Sequence, residues 1–110
     1  MSLAPEDLPE GTFAVIFISR LKADTPGYAE TARRMAELVV AMPGFLGMAS
    51  WRDEEGRGVT ISWWRDEDSI RRWRDHPEHA RARRRGEAEW YADWHIQVCR
   101  VERISRRARS

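Results

Sequence analysis

Three residues in one short stretch carry most of the chemistry this sequence offers: Trp73, His76 and His79, in the run Trp-Arg-Asp-His-Pro-Glu-His. A free imidazole titrates near neutrality, so either histidine suits the removal of a proton from a substrate hydroxyl. On a helix, Trp73 and His76 share a face, and an indole there can wall a cavity for a flat aromatic or polycyclic ligand. The plain alternative is that Trp73 packs on a sheet while the histidines lie at an exposed helix break. The His-x-x-His spacing also suits a metal, yet Pro77 intervenes and only Asp75 and Glu78 stand near, so no metal site is expected. His95 reads as a structural histidine on a strand. Cys99, the single cysteine, excludes an internal disulfide or a Cys-based zinc site and reads as a small hydrophobe. Gly56-Arg57-Gly58 belongs to a hairpin turn rather than a phosphate cradle, and there is no nucleophile elbow.

The elements that must position these residues follow from pattern. Residues 1–11 hold Pro5, Pro9 and Gly11 among acids and read as a flexible leader. Residues 12–21 are apolar on both faces, with Phe13, Val15 and Phe17 alternating with Ala14, Ile16 and Ile18, as in a strand buried on both sides. Thr25-Pro26 has the form of a helix start. The stripe Tyr28, Ala32, Met35, Val39 and Met42 gives that helix one apolar face, and Pro43-Gly44 stops it. Residues 45–53 and 59–64 read as two strands joined by a polar, glycine-bearing turn. Asp66 or Asp68 caps a second helix whose inner face begins with Ile70 and Trp73. Pro77 interrupts it, a further helical stretch runs over residues 78–92, and a last strand over 94–104 precedes a basic tail at 105–110.

This β-α-β-β-α-β order predicts a ferredoxin-like α+β fold over residues 12–104, an antiparallel sheet with both helices on one face. The second face of the sheet is also apolar, with Leu46, Met48 and one of Trp63 or Trp64 assigned to it. Both helices are spent on the first face, so the sequence predicts a homodimer that packs two sheets together.

Composition narrows the class further. At 110 residues, 42% hydrophobic and 34% charged, the chain is one small domain that gains from pairing. Six of its eleven aromatics are tryptophan, too many for filler alone, and Trp is enriched where apolar surface meets a ligand or another chain. Trp90 and Trp94 are expected to anchor the last helix and strand. The net charge of +1 hides an asymmetry: residues 1–70 carry seven Lys/Arg against twelve Asp/Glu, and residues 71–110 carry twelve against six. No nucleic-acid signature accompanies the basic half, so a solvated helix face and a frayed tail are expected and nucleic acid is not. The longest apolar run, Phe13 to Ile18, is far short of the ~20 residues of a membrane span. The acidic N-terminus has no secretory signal pattern. The expected compartment is the cytoplasm, with no membrane association.

Met42-Pro43-Gly44-Phe45-Leu46-Gly47, the strand end Ile61-Ser62-Trp63-Trp64, Trp73-x-x-His76-x-x-His79, Trp90-Tyr91 and Val98-x-x-Val101-Glu102-Arg103 together resemble the antibiotic biosynthesis monooxygenase family. The resemblance runs from about Thr12 to Arg103 and lies in the ordered set rather than in any single motif. It implies a ferredoxin-like homodimer, the dimeric α+β barrel. It also implies one of two chemistries. Some members oxidise polycyclic aromatics with O2 and neither metal nor flavin, the substrate supplying the electrons. Others bind and degrade haem through an Asn on the first strand, a Trp on the second helical segment and a His farther along it. Trp73 matches that tryptophan and Ser19 stands in the place of the Asn. The place of the axial His falls near Arg83, with His76 and His79 coming earlier.

The leading expectation is a cofactor-independent monooxygenase acting on an electron-rich aromatic or polycyclic substrate in a pocket between the sheet and the second helix. His76 and His79 are the candidate bases, and Trp73, Trp64, Ser19, Phe17 and Tyr91 the candidate substrate-binding residues. Haem binding or degradation is the first alternative. A non-catalytic dimeric domain that binds a small molecule is the second.

Overall fold

The computed structural model describes residues 4–107. Strand β1 spans Phe13–Leu21, helix α1 Tyr28–Val39, β2 Phe45–Arg52, β3 Arg57–Trp64, α2 Glu67–Asp75 and α3 Pro77–Arg85. A π-helical turn, Gly86–Trp90, then leads into β4, Tyr91–Arg100. The sheet is antiparallel throughout, in the order β2-β3-β1-β4. This is the ferredoxin-like α+β fold that the element order predicts. No helix among the described residues is long and apolar enough to cross a membrane.

Several boundaries differ from the sequence expectation, each for a local reason. Helix α1 begins at Tyr28, not at Pro26, because Gly27 takes a left-handed φ of 80° and turns the chain before the helix starts. The Arg85 guanidinium lies where a Cβ on Gly27 would stand, 2.8 Å from that point. The carbonyl of Pro26 accepts from both Arg85 and the Trp90 indole N–H. The turn at residues 25–27 is thus clamped to the far end of α3. Asp66 caps α2 through Ser69 N–H, as expected, and Pro77 occupies the first turn of α3. The helical stretch expected over residues 78–92 is α-helical to Arg85 and continues from Gly86 as the π-helical turn that ends at Trp90. β4 begins at Tyr91 rather than Trp94 and ends at Arg100 rather than Ile104. Arg106 donates to the carbonyls of Pro5 and Glu6, so the leader and the start of the tail are tied to each other. The rest of the expected tail, residues 108–110, lies outside the described residues.

Opposite residues of antiparallel strands share a face, so the register sorts the sheet into rows. Tyr28 of α1 touches Tyr91 and Arg52, which identifies the helix side. There the rows, written β2-β3-β1-β4, are Arg52-Gly58-Ser19-Trp94, Ser50-Thr60-Phe17-Ile96, Met48-Ser62-Val15-Val98 and Phe45-Trp64-Phe13-Arg100. The outer side carries Trp51-Val59-Ile18-His95, Ala49-Ile61-Ile16-Gln97 and Gly47-Trp63-Ala14-Cys99. Met48 was expected on the outer side. A bulge between Phe45 and Gly47 shifts the register and turns it toward the helices. Trp51 and Trp63 do stand on the outer face.

The core sits at the Trp64 end of the helix side. Trp64 is 1% exposed, meets Phe45 edge-on at 5.3 Å between ring centroids, and donates its indole N–H to Ser62 Oγ at 2.9 Å. Trp90 is the other enclosed tryptophan, edge-on to Tyr28 at 5.5 Å and under the Arg85 guanidinium. It anchors the end of the last helical segment, as expected. Trp94 does not: half exposed, it donates to the Glu87 carboxylate at the surface.

Candidate active site

The seven expected site residues do not converge on one point. Their contacts fall into two clusters, with Trp64 in neither. Trp64 was expected to line the substrate site, but it has almost no surface to offer and its polar atom is already bonded. It is a core residue.

The first cluster is built at the α2–α3 junction. α2 ends at Asp75 because His76 takes an extended ψ of 128° ahead of Pro77, and α3 restarts at once. The kink turns His79 back onto Trp73. The two rings stack at 4.2 Å between centroids with an 11° interplanar angle, and His76 sits tilted at 5.6 Å from the same indole. His79 Nδ1 lies 2.9 Å from the carbonyl oxygen of Trp73. A carbonyl only accepts, so Nδ1 carries the proton and Nε2 is left as an acceptor. Burial pushes the His79 pKa down to about 4, and the neighbouring Arg83 and His76 charges add to this, against the carbonyl bond. The expectation of a base titrating near neutrality is therefore corrected for this residue. It is a neutral, weakly basic imidazole at physiological pH. His76 has a different task, since its Nδ1 accepts the Glu78 N–H and caps α3. Glu78 in turn pairs with Arg34, which fastens this corner to α1.

The second cluster gathers Phe17, Ser19 and Tyr91 with two residues that sequence reasoning missed, Tyr28 and Arg52. Phe17 and Tyr91 meet edge-on at 5.4 Å, and Tyr28 approaches Tyr91 at 6.2 Å. Arg52 donates to Ser19 Oγ at 2.9 Å and to the Tyr28 hydroxyl at 3.2 Å. Burial, helped by the nearby Tyr28 hydroxyl, raises the Tyr91 pKa well above the ordinary phenol range, so Tyr91 keeps its proton. Beside this cluster Trp94, Ile96 and Val98 run along β4 on the helix side, each about half exposed. No sequence signal marks Arg52: it is one of many arginines in the chain and ends an edge strand, and only the register brings it to Ser19. Among the described residues no group of three or more His, Cys, Asp or Glu side chains is placed to hold a metal ion.

With this geometry in place, comparison with known proteins is informative. Residues 13–85 match the family model described as antibiotic biosynthesis monooxygenase. YqjZ, an uncharacterized protein of Bacillus subtilis, is 44% identical over 91 residues, covering 83% of this chain and 80% of that one. The jasmonate monooxygenase ABM of Pyricularia oryzae is 29% identical over 92 residues, covering 81% of this chain but only 43% of that protein. Among solved structures, SnoaB, a cofactor-independent oxygenase from Streptomyces nogalater, superposes with a TM-score of 0.73 at 16% identity. That superposition covers 86% of this chain and 96% of SnoaB, and at such low identity it speaks to the fold alone. The model match over most of the chain, with a relative as similar as YqjZ, settles the family. This chain belongs to the antibiotic biosynthesis monooxygenase family.

Proposed function

We propose that this protein is a small cytoplasmic oxygenase that oxidises an electron-rich aromatic or polycyclic substrate with O2, without a bound cofactor. The observation that carries this reading is the Trp73–His79 stack, a neutral imidazole held against an indole with Nδ1 tied down and Nε2 left to accept. Family membership supports the oxygenase class, and the descriptions of SnoaB and of the Pyricularia relative agree with it. A suitable reaction converts a methylene flanked by aromatic rings into a carbonyl. One O2 supplies the new carbonyl oxygen, its other atom leaves as water with the two methylene hydrogens, and the carbon provides the four electrons. In this scheme Trp73 lies against the substrate ring and His79 Nε2 accepts from the substrate hydroxyl.

A base near pKa 4 is poorly matched to a phenol of pKa about 10. His79 therefore aligns the hydroxyl and takes its proton only as electron density leaves for oxygen, so that no free phenolate has to form first. His76 is assigned a supporting part, since its Nδ1 is committed to the α3 cap. The test is oxygen uptake with an anthrone. His79→Ala is expected to lower kcat/KM about 100-fold, the range of a lost proton-transfer group, and His76→Ala to stay within about threefold. Unchanged uptake in His79→Ala removes the proposal.

The working unit in this reading is a homodimer joined through the outer face of the sheet. Ile18, Trp51 and Val59 floor an open depression of about 580 Å³ there, rimmed by the Arg20–Asp93 and Arg57–Asp53 ion pairs. Trp51→Arg is expected to give a monomer by sedimentation.

A second reading, haem binding, is favoured by the same imidazole. A histidine whose Nδ1–H is held by a backbone carbonyl and whose Nε2 is free has the usual arrangement of an iron ligand. Bound haem would supply the oxygen-activating iron. Haemin added to the protein would then give a Soret shift that His79→Ala abolishes, and no shift retires the reading.

A further inference from the structure

His79 is neutral, so the Trp73–His79 cluster offers no fixed charge to an acidic ligand. The geometry points to the other end of the helix side. Arg52 reaches from the edge strand β2 across Gly58 of β3 to Ser19 of β1. It can do so only because Gly58 has no side chain: a Cβ there would stand 2.6 Å from the guanidinium carbon. Its Nη1 donates to the carbonyls of Gly56 at 2.6 Å and Ser19 at 3.4 Å, and its Nη2 to Ser19 Oγ and the Tyr28 hydroxyl. All four acceptors are neutral. The hairpin carboxylates that could have balanced it, Asp53 and Glu55, both pair with Arg57 instead. Among the described residues no ion pair includes Arg52.

A guanidinium is charged at every accessible pH, and a half-buried charge without a counter-ion favours the binding of an anion. The surroundings suit one kind of anion. The Tyr28 hydroxyl bonds the cation, Tyr91 packs next to Tyr28, and Phe17, Trp94 and Ile96 carry an apolar surface away from it toward β4. A charged oxygen and an aromatic body would both find their counterparts within one corner of the sheet. We propose that Arg52, with Ser19, Tyr28 and Tyr91 around it, is the anion-recognition corner of the substrate site. The protein then takes aromatic substrates that bear an acidic oxygen, a carboxylate or a phenolate.

This inference rests on the oxygenase reading for the identity of the ligand as substrate, but its test does not use turnover. Calorimetric titration compares 1-naphthoate with its methyl ester and, at pH 8.5, 4-nitrophenolate with 4-nitroanisole. The expected result is about tenfold tighter binding of the anion in at least one pair, the size of one charge-assisted hydrogen bond, and the pair that shows it tells carboxylate from phenolate. Arg52→Gln should bring the two members of that pair within twofold of each other. Arg52 also ties down hairpin carbonyls, so a second variant guards against simple misfolding. Ser19→Asp keeps Arg52, gives it an internal carboxylate, and should cancel the preference in the same way. Equal affinities in both pairs for the unaltered protein overturn the inference, as does a preference that survives both substitutions. Oxygen uptake without charge preference defeats this inference alone. Charge preference without oxygen uptake on any substrate defeats the oxygenase reading alone.

Discussion

The two clusters on the helix side of the sheet are built on opposite principles. At the α2–α3 junction an apolar, stacked pair holds an imidazole neutral: Trp73 and His79 lie 4.2 Å apart, and burial lowers the histidine to about 4. At the β2–β3 hairpin end a guanidinium is held among neutral oxygens, with the nearest carboxylates turned to another arginine. The first cluster suppresses charge and the second keeps it uncompensated. Desolvation governs the first, since it disfavours the protonated imidazole. It has no such effect on the second, because arginine cannot shed its proton. One small domain thus holds both a half-buried aromatic pair and a fixed positive charge.

The sharpest way to break this contrast is at Trp73. Trp73→Ala should remove the ring that shelters His79 and let its pKa rise toward the ordinary 6.5, followed by the titration of its imidazole resonances. Oxygen uptake should fall about 100-fold if stacking positions the substrate. A pKa that stays near 4 would mean that other groups bury His79. Next in size is Gly58→Ala, whose new methyl would press on the Arg52 guanidinium and on the Trp51 carbonyl. Destabilisation of about 1–3 kcal/mol in urea unfolding is expected, with loss of any anion preference but no change at His79.

A milder probe uses pH. His79 is lowered to about 4 in the folded chain from 6.5, so the unfolded chain binds the extra proton between those values. Stability should therefore be level above about pH 6.5 and fall as pH drops toward 4, with His79→Gln flattening that slope in thermal melts. The smallest effect serves as a control on the outer face. Asp93→Asn breaks an exposed pair with Arg20 and should cost under about 1 kcal/mol, with both helix-side clusters unaffected.

Much of the scaffold is legible in the sequence. The alternation in residues 13–18, the turn at 53–58 and the Asp66 cap each rest on residues a few positions apart, and local rules decide them. The misses share a different cause. Gly27 shifted the start of α1 because Arg85 and Trp90 dock on the Pro26 carbonyl from about sixty residues away. Met48 changed faces because a bulge at residue 46 moved the register by one, and a strand has a period of two. Trp64 and Trp73 look equally suited to line a site in the sequence, yet one is enclosed by Phe45 and Ser62 and the other meets two histidines.

The candidate site divides along the same line. Trp73-x-x-His76-x-x-His79 was readable because all three side chains come from one continuous segment, where spacing alone sets proximity. The break at Pro77 then chose between the histidines, giving His76 the cap and His79 the stack. Arg52, Ser19, Tyr28 and Tyr91 come from three strands and a helix, and nothing local connects them. By itself the sequence determined the elements, their order and the chemistry available at the helix junction, because those depend on neighbours along the chain. Only the tertiary structure decided which imidazole stays free and that Arg52 is held among neutral oxygens, because both depend on burial and on strand register, quantities that exist only once the chain has closed on itself.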